Sequence, residues 1–476
     1  MRDWLSSGLN RLWSNRHTLF GLGFVSGLIV GLGSLAFARL HKTLLRTVWN
    51  PRLPRRWSAK KLGYESPELF QPVELVRSGR IVDGIAGTIG NTPLIRINSL
   101  SELTGCEILG KAEFLNPGGS PKDRVALEII SQAEESGELV PNVGSWIFEG
   151  TVGSTGISIA MLAHAKGYNC CIVVPDDVAE EKVQLLRRLG ASVEMVRPRG
   201  IVDPRHFVNE ARARASAWKP DAHQPYARAF FADQFESEAN FSAHYNHTGP
   251  EIWEQTSGRL DAFVSGAGTG GTISGVAAYL KRQASELEDV SEPIVVAADP
   301  TGSGVYNRVK YGVLYNSTEA EGTRRRHQVD SVVEGIGLNR LTRNLDMGLP
   351  YINDAIQVTD DEAVRMSRYL ASHDGLFLGS SSAVHCVAAA KVALRLKSER
   401  TSLLSKNSAD DDHQSPTTKS DGVEDERRPV VVTVLCDSGS RHLSKFQNDE
   451  KMKQRGLEVS DNISDILGAA IVPHAI

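Results

Sequence analysis

The chain has 476 residues, of which 41% are hydrophobic and 23% charged, and its formal net charge at pH 7 is −4. Such a length predicts about two to four domains, and the composition is that of a globular protein with a large core. The small net charge excludes a basic field over the surface, so nucleic acid is not predicted as a partner. The five cysteines form no C-x-x-C pair and no histidine cluster has ligand spacing, so no metal site is predicted.

An uncharged apolar segment runs from Thr18 to Ala38. About 20 apolar residues are enough to span a bilayer as a helix, and this segment lacks the cleavage site of a secretory signal. Basic residues follow it more densely than they precede it, which predicts that the rest of the chain faces the cytosol. We therefore expect a membrane anchor over residues 1–42, with one transmembrane helix over about 18–38, and a basic connector over residues 43–83.

Short apolar runs alternate with amphipathic stretches across residues 84–447. The runs predict buried strands at Ser145–Phe148, Cys170–Val174, Ser192–Val196, Asp261–Val264, Ile294–Ala298 and Val430–Leu435. The stretches predict helices at Asp123–Ser136, Ile157–Lys166, Glu180–Leu189, Thr272–Lys281 and Asp360–Ser372. This alternation predicts an α/β domain with mainly parallel sheets. Residues 402–428 lack a periodic apolar face and predict a disordered inserted loop, and residues 448–476 form a C-terminal tail.

A first motif, Asn116-Pro-Gly-Gly-Ser-Pro-Lys-Asp-Arg124, follows a strand-like run and opens a helix. Its two glycines allow tight turns, and Ser120 and Asp123 can cap the start of the helix. A lysine in such a place, here Lys122, can form a Schiff base with the aldehyde of a cofactor. Taken alone, a lysine at this position is more often a surface residue.

A second motif, Gly266-Ala-Gly-Thr-Gly-Gly-Thr-Ile-Ser-Gly275, lies between a predicted strand and a predicted helix. Its glycines expose backbone N–H groups, and the start of the helix adds positive potential, which together predict a phosphate-binding loop. A dinucleotide site is the alternative, but that site needs an acidic residue about 20 residues further on. Asp299 lies too far from Gly271 to fill this role.

A third motif, Cys436-Asp-Ser-Gly-Ser440, places Ser438 after the strand-like run Val430–Leu435. The carboxyl ends of parallel strands are where the sites of α/β proteins collect. An ordinary turn between a strand and a helix is the simpler interpretation of this motif.

Together these motifs resemble those of the cysteine synthase and cystathionine β-synthase family, pyridoxal-phosphate (PLP) enzymes of the two-lobed α/β fold shared with the tryptophan synthase β chain. The lysine motif, the glycine-rich loop and Asp437-Ser438-Gly439 match in order, as does Gly90-Asn-Thr-Pro-Leu-Ile95 near the start of the body. Further segments that fit in order are Gln234-Phe235, His244-Tyr245, Thr248–Trp253 and Glu334-Gly-Ile-Gly337. The resemblance covers about residues 84–445.

The resemblance implies a role for each matching residue. Lys122 would hold the cofactor as a Schiff base and, once released when the substrate binds, would remove the α-proton of the substrate. Ser438 would face the pyridine nitrogen, where a neutral hydroxyl favours β-elimination over transamination. The cofactor phosphate would be held by Gly268, Thr269, Gly270, Gly271 and Thr272, and the substrate by Thr151, Gly153, Thr155 and Gln234. The implied reaction is that of O-acetylserine with sulfide, which gives cysteine and acetate.

One segment departs from the family pattern. The substrate loop usually reads Thr-Ser-Gly-Asn-Thr-Gly, whereas this chain has Thr151-Val-Gly-Ser-Thr-Gly156. Ser154 replaces the asparagine that contacts the cofactor ring oxygen, and Val152 replaces a serine near the substrate carboxylate. The alternatives are therefore another β-replacement or β-elimination enzyme, such as a cystathionine β-synthase or a cysteine desulfhydrase, and a tethered PLP-binding protein without turnover.

The uncleaved N-terminal anchor with its basic flank is similar to the signal anchors of the mitochondrial outer membrane, and we expect that location, with the endoplasmic reticulum membrane as the alternative. If the body were lumenal, Asn246-His-Thr248 and Asn316-Ser-Thr318 would be acceptors for N-glycosylation. A homodimer is the family expectation.

Overall fold

The protein is described here from a computed structural model, which covers residues 81–288, 290–316, 331–410 and 427–468. Among these residues no helix has both the length and the apolar character needed to cross a membrane. The predicted anchor and nearly all of the predicted connector lie outside them.

Two sheets organise the described part of the chain. The larger sheet has six strands in the order β1 (Leu94–Arg96), β2 (Glu107–Ala112), β10 (Val430–Leu435), β7 (Ala262–Ser265), β8 (Ile294–Pro300) and β9 (Asp354–Val358). The smaller sheet has four, in the order β5 (Ser192–Val196), β4 (Asn169–Pro175), β3 (Trp146–Gly150) and β6 (Ala229–Phe231). All pairs are parallel except β1 with β2. The predicted two-lobed α/β fold is confirmed.

Helices connect the strands and cover both sheets. In chain order they are α1 (Asn98–Thr104), α2 (Lys122–Glu135), α3 (Ser154–Lys166), α4 (Glu180–Arg188), α5 (Phe207–Ala217), α6 (Ala239–Ala243), α7 (Gly249–Gln255), α8 (Gly271–Ser285), α9 (Val305–Tyr311), α10 (Arg343–Gly348), α11 (Asp360–Asp374), α12 (Ser380–Asp410), α13 (Asp449–Gln454) and α14 (Ser464–Gly468). A π-helical turn, His244–Thr248, joins α6 to α7. Short 3-10 turns lie at Ala86–Thr88, Glu113–Leu115, Leu349–Tyr351 and Gly439–Arg441.

The strand β10 shows how the larger sheet is buried on both faces. Val431 and Leu435 pack into the core on one side with α12, whereas Val430, Val432 and Val434 pack on the other side with α8. Side chains alternate between the faces of a strand, so a strand that is apolar on both faces belongs in the middle of a covered sheet. The predicted strand Val430–Leu435 is confirmed at both ends.

Two parts of the predicted domain plan are changed. The helix α12 continues to Asp410, so the loop predicted from residue 402 begins too early. The unfavourable free energy of starting a helix is offset in its buried first half. Adding each further residue to the existing helix then requires little free energy. Residues 411–426 of that loop lie outside the described residues. In the predicted tail, Met452 of α13 and Ile466 of α14 pack into the core around α12, so this part of the tail belongs to the body.

Candidate active site

A cavity of about 770 Å³ opens between the two sheets. Its wall includes Thr151 and Val152 after β3, Gly266 after β7, and Cys436 and Asp437 after β10. These three strands are parallel to their neighbours, and their carboxyl ends converge on the same cleft. This is where the ligand sites of open α/β sheets are found.

Lys122 lies in the wall of this cavity as the first residue of α2. Its Nζ lies 3.3 Å from Thr269 Oγ1 and donates to it. Burial lowers the pKa of the amine to about 8, because the charged form loses its hydration, and Cys436 opposes this effect in part. A lysine amine that is partly neutral near neutral pH can act as a nucleophile or as a base.

The glycine-rich loop forms a cradle across from Lys122, where β7 ends and α8 begins. Gly270 has a φ of +92°, a backbone conformation that glycine adopts without a steric penalty. A Cβ atom at Gly268 would lie 2.0 Å from the carbonyl oxygen of Gly335, so this close approach also needs glycine. The N–H groups at the start of α8 and the hydroxyls of Thr269 and Thr272 can bind an anion here.

The start of α3 faces the same cavity as the starts of α2 and α8. Ser154 and Thr155 line the cavity at the start of α3, after Gly153, whose φ of +131° is accessible to glycine. Thr155 Oγ1 donates to Gln234 Oε1 over 2.5 Å, and Gln234 Nε2 donates to Glu149 Oε1 over 3.0 Å. Unpaired N–H groups at a helix start can bind a carboxylate, so this end of the cavity suits an amino-acid substrate.

Glu149 is a site residue that the sequence did not reveal. The side chain is fully buried at the end of β3, and its Oε2 has no hydrogen-bond partner among the described residues. Burial and the nearby charge of Asp233 raise its pKa to about 8. Through Gln234 this carboxyl group fixes the amide that faces the substrate end of the cavity.

A network of charges lines one part of the cleft. Glu334 accepts from Lys182 Nζ at 2.5 Å and from Lys445 Nζ at 2.8 Å, and the two lysines belong to different lobes. His442 Nε2 lies 2.9 Å from Asp437 Oδ2. The lysines and His442 hold the pKa of Glu334 well below its usual range. The sequence indicates the Glu334-Gly-Ile-Gly337 segment as a motif but does not predict its role in joining the lobes.

Val152 lies against an apolar part of the wall. It packs on a small cluster that contains Phe207, Val208 and Phe235, all of which also line the cavity. The valine that departs from the family pattern therefore adds apolar surface where a serine would offer a hydroxyl.

The structure brings most of the predicted site residues together. Lining the one cavity are Lys122, Thr151, Ser154, Thr155, Gln234, Gly268, Thr269, Gly270 and Thr272. Gly153 and Gly271 belong to the same two loops but lie outside the lining. Ser438 also lies outside it: its hydroxyl accepts from the N–H and the hydroxyl of Ser440, and the wall after β10 is formed by Cys436 and Asp437. The contact of Ser438 with a pyridine ring stays a prediction.

The residues present fit a cofactor that carries both an aldehyde and a phosphate. Lys122 offers a buried amine to the aldehyde, and the Gly268–Thr272 cradle offers N–H groups and hydroxyls to the phosphate, with both in one cavity. PLP has these two groups. The fold and the site thus define a PLP-dependent enzyme.

Comparison with known proteins leads to the same class. Residues 85–405 match the family model described as pyridoxal-phosphate dependent enzyme. Cysteine synthase 2 of Neurospora crassa is 56% identical over 366 residues, which are 77% of this chain and 73% of that protein. Cysteine synthase 2 of Emericella nidulans is 47% identical over 468 residues, covering 95% and 98% of the two chains. A Saccharomyces cerevisiae protein, provisionally named a mitochondrial cysteine synthase, is 49% identical over 388 residues, covering 82% and 89%.

The chain therefore belongs to the PLP-dependent enzymes of the cysteine synthase and cystathionine β-synthase family. Its PLP cofactor and its enzymatic nature, both predicted from the motifs, are confirmed.

Proposed function

We propose that this enzyme replaces the acetoxy group of O-acetyl-L-serine with sulfide, which gives L-cysteine and acetate. This is the activity of a cysteine synthase, the name carried by relatives that match most of the chain. The observation that carries the chemistry is the placement of Lys122 Nζ beside Thr269 in a cavity that also holds the start of α3.

Different side chains of the cavity would bind the substrate and take its α-proton. Bound PLP supplies an electron sink, which makes the α-proton of an amino acid acidic and lets the β-substituent leave. The Thr151–Thr155 loop and the start of α3 would hold the substrate carboxylate, with Gln234 fixed beside them by Glu149. Lys122 Nζ, whose pKa is lowered to about 8, would then take the α-proton close to neutral pH.

A comparison of substrate pairs tests this assignment. Initial rates are measured on the full-length protein in detergent with O-acetylserine and sulfide, with serine and homocysteine, and with cysteine alone. The proposal expects the first pair to give the largest kcat/KM. A larger value for serine and homocysteine would make the protein a cystathionine β-synthase, and sulfide release from cysteine would make it a desulfhydrase. No turnover by a fully PLP-loaded protein would favour a binding protein.

The substrate loop can be tested separately through its two departures. Val152→Ser restores the usual hydroxyl and Ser154→Asn restores the usual amide. If the present loop is adapted to O-acetylserine, each change should raise the KM for this substrate. If the present loop is impaired, the double variant should gain activity and approach the efficiency of an enzyme with the usual loop.

We further propose that residues 1–42 anchor the enzyme in a membrane, with the body in the cytosol. The uncharged segment Thr18–Ala38 and the basic residues after it support this proposal. Deletion of residues 1–40 should move the protein to the soluble fraction with its PLP retained. If the truncated protein still resists carbonate extraction, the anchor lies elsewhere in the chain.

The mitochondrial outer membrane is the location that we propose, supported by the form of the anchor and by the name of the yeast relative. Protease added to intact mitochondria should degrade the body. In the endoplasmic reticulum lumen, by contrast, Asn246 would be glycosylated, since it is exposed, whereas Asn316 is buried and its side chain donates to Ser303 O.

A homodimer is the assembly that we propose from the family, and light scattering of the purified protein measures it.

A further inference from the structure

The phosphate cradle imposes a direction on its hydrogen bonds. A phosphate dianion has only acceptor atoms, so a hydroxyl that binds it must donate its proton. The hydroxyls of Thr269 and Thr272 each have one proton and two acceptor lone pairs. If a protein group behind one of these threonines accepts the hydroxyl proton, that proton cannot bind the phosphate. The groups behind the two threonines must therefore donate to the hydroxyl oxygens.

Behind Thr269 lies Asn240, whose side chain is fully buried on α6. Asn240 Nδ2 lies 2.8 Å from Thr269 Oγ1 and 2.8 Å from the carbonyl oxygen of Gln234. A carbonyl oxygen can only accept, so the Asn240 atom that faces it must be the NH₂ group. Its second N–H then points at Thr269, and the Thr269 proton stays available.

Behind Thr272 lies His244, which is also fully buried. Its Nε2 lies 3.1 Å from Thr272 Oγ1, and its Nδ1 lies 2.9 Å from Thr248 Oγ1. Burial lowers the pKa of His244 to about 3, so the ring is neutral and has one donor and one acceptor. If Nε2 carries the proton, Thr248 donates to Nδ1, Nε2 donates to Thr272, and the Thr272 proton faces the cradle.

We propose that Asn240 and His244 are positioning residues that turn the hydroxyl protons of Thr269 and Thr272 toward the cofactor phosphate, with His244 held as its Nε2–H tautomer. This inference rests on the Gly268–Thr272 cradle as the phosphate site. The two residues do not touch the phosphate themselves, and each acts through one threonine.

The close packing of this region explains how both residues reach the cradle. A Cβ atom at Gly271 would lie 2.0 Å from Asn240 Oδ1, and one at Gly275 would lie 2.9 Å from His244 Cβ. The two glycines are four residues apart on one face of α8 and let α6, which carries Asn240, and the π-helical turn, which carries His244, approach it. The π-helical turn begins at His244, and such turns are frequent at functional sites.

A double-mutant cycle on PLP binding tests the role of His244. Dissociation constants are measured on the apoenzyme for Thr272→Val, His244→Ala and the double variant. Each single change should weaken PLP binding by roughly 10- to 100-fold, as expected for a hydrogen bond to a charged group. Because His244 acts through Thr272, the double variant should bind no more weakly than Thr272→Val. The melting temperature of each apoenzyme controls for folding.

Conservative variants distinguish a hydrogen-bonding role of His244 and Asn240 from a role in packing alone. His244→Gln can place an amide N–H close to the site of Nε2 and should recover most of the affinity, whereas His244→Asn is too short and should not. Asn240→Asp replaces the donor to Thr269 with an acceptor and should weaken PLP binding more than Asn240→Ala. In ¹⁵N NMR spectra of histidine-labelled protein, His244 should appear as the Nε2–H tautomer.

The outcomes that overturn the proposal are distinct. If Thr272→Val and Thr269→Val leave the PLP dissociation constant unchanged, the phosphate cradle itself is wrongly assigned. If these variants weaken binding but the effects of His244→Ala and Thr272→Val add, the cradle stands and the positioning role of His244 is wrong. An Nδ1–H tautomer of His244 would also refute the proposal.

Discussion

Lys122 Nζ and Thr269 Oγ1 lie 3.3 Å apart, although 147 positions separate the two residues in the chain. The lysine opens the first helix after β2, and the threonine lies in the loop after β7. The larger sheet places both loops at one edge of the cavity, because β10 pairs in parallel with β2 on one side and with β7 on the other. The amine that would bind the cofactor and the cradle for its phosphate are thus fixed relative to each other by one sheet.

The lowered pKa of Lys122 predicts how fast the apoenzyme takes up PLP at different pH values. Only the neutral amine attacks an aldehyde, and burial lowers the pKa from 10.5 to about 8. At pH 7 roughly a tenth of the amines are then neutral, against fewer than about one in a thousand for an exposed lysine. The rate of uptake, followed by absorbance, should rise with pH and level off above about 8. A rate that keeps rising to pH 10 would contradict the lowered pKa.

The buried carboxyl group of Glu149 predicts a pH-dependent stability. Its folded pKa, about 8, lies above its usual value of 4.5, so the folded state binds the proton more tightly than the unfolded state. This contribution to stability is present below pH 4.5 and is lost as the pH rises toward 8. The Glu149→Gln side chain cannot titrate, so the variant does not lose this contribution. The melting temperature of the variant minus that of the wild type should therefore increase from pH 5 to pH 8 and stay constant above pH 8.

The exposed Glu238→Gln is the matched control for this series, since Glu238 pairs with Arg343 at the surface. The prediction is contradicted if the melting temperatures of Glu149→Gln and the wild type differ by the same amount at every pH. Glu149 would then have the same pKa in the folded and the unfolded chain.

The ion pair between Lys182 and Glu334 predicts a large loss of stability when one partner is removed. The two side chains are 4% and 10% exposed and join the two lobes. Glu334→Gln removes the carboxylate that accepts from the buried Lys182 and should cost about 3–5 kcal/mol in the free energy of unfolding. Urea denaturation measures this cost, and Glu286→Gln in the exposed Arg282–Glu286 pair should change it by less than about 1 kcal/mol. Equal effects of the two substitutions would mean that the Lys182–Glu334 pair is solvated.

Ser438→Asp tests the role that the family resemblance gives to this serine. A carboxylate beside the pyridine nitrogen would raise the pKa of that nitrogen and favour its protonated form. Binding of PLP through Lys122 and the cradle should survive, while cysteine formation falls and the visible spectrum of the holoenzyme shifts. Unchanged spectra and rates would place Ser438 away from the ring, in agreement with its hydrogen bonds to Ser440 and against the resemblance.

The parallel strands could be predicted because most positions in their sequences are apolar. Val430–Leu435 is confirmed at both ends, and Ile294–Ala298 is extended by two residues. Ser192–Val196 is also confirmed at both ends as a strand, but it lies at the edge of the smaller sheet and none of its residues is buried, so its predicted burial is wrong. The strands β1 and β6 have three residues each and are too short to give a periodic signal. The helix α12 was missed for another reason. Its residues from Ala383 to Ala390 are buried on all sides, so they show no amphipathic period.

The candidate site could be predicted where its residues form local motifs. Lys122 and the Gly268–Thr272 cradle follow from glycine-rich turns that precede helices. Glu149 gives no such signal, because nothing in its neighbours in sequence shows that a glutamate is fully buried and bonded to Gln234, 85 positions away. Asn240 was missed for the same reason, and its contact with Thr269 depends on the packing of α6 against α8.

The central claim, that Lys122 holds PLP in this cavity, is tested most directly by reducing the holoenzyme with borohydride and mapping the pyridoxyl group by peptide mass spectrometry. The account predicts one pyridoxyl group per chain on Lys122, and a Lys122→Ala protein that lacks both the adduct and the visible absorbance of the holoenzyme. An adduct on another lysine, or a reducible link that survives in Lys122→Ala, would contradict it.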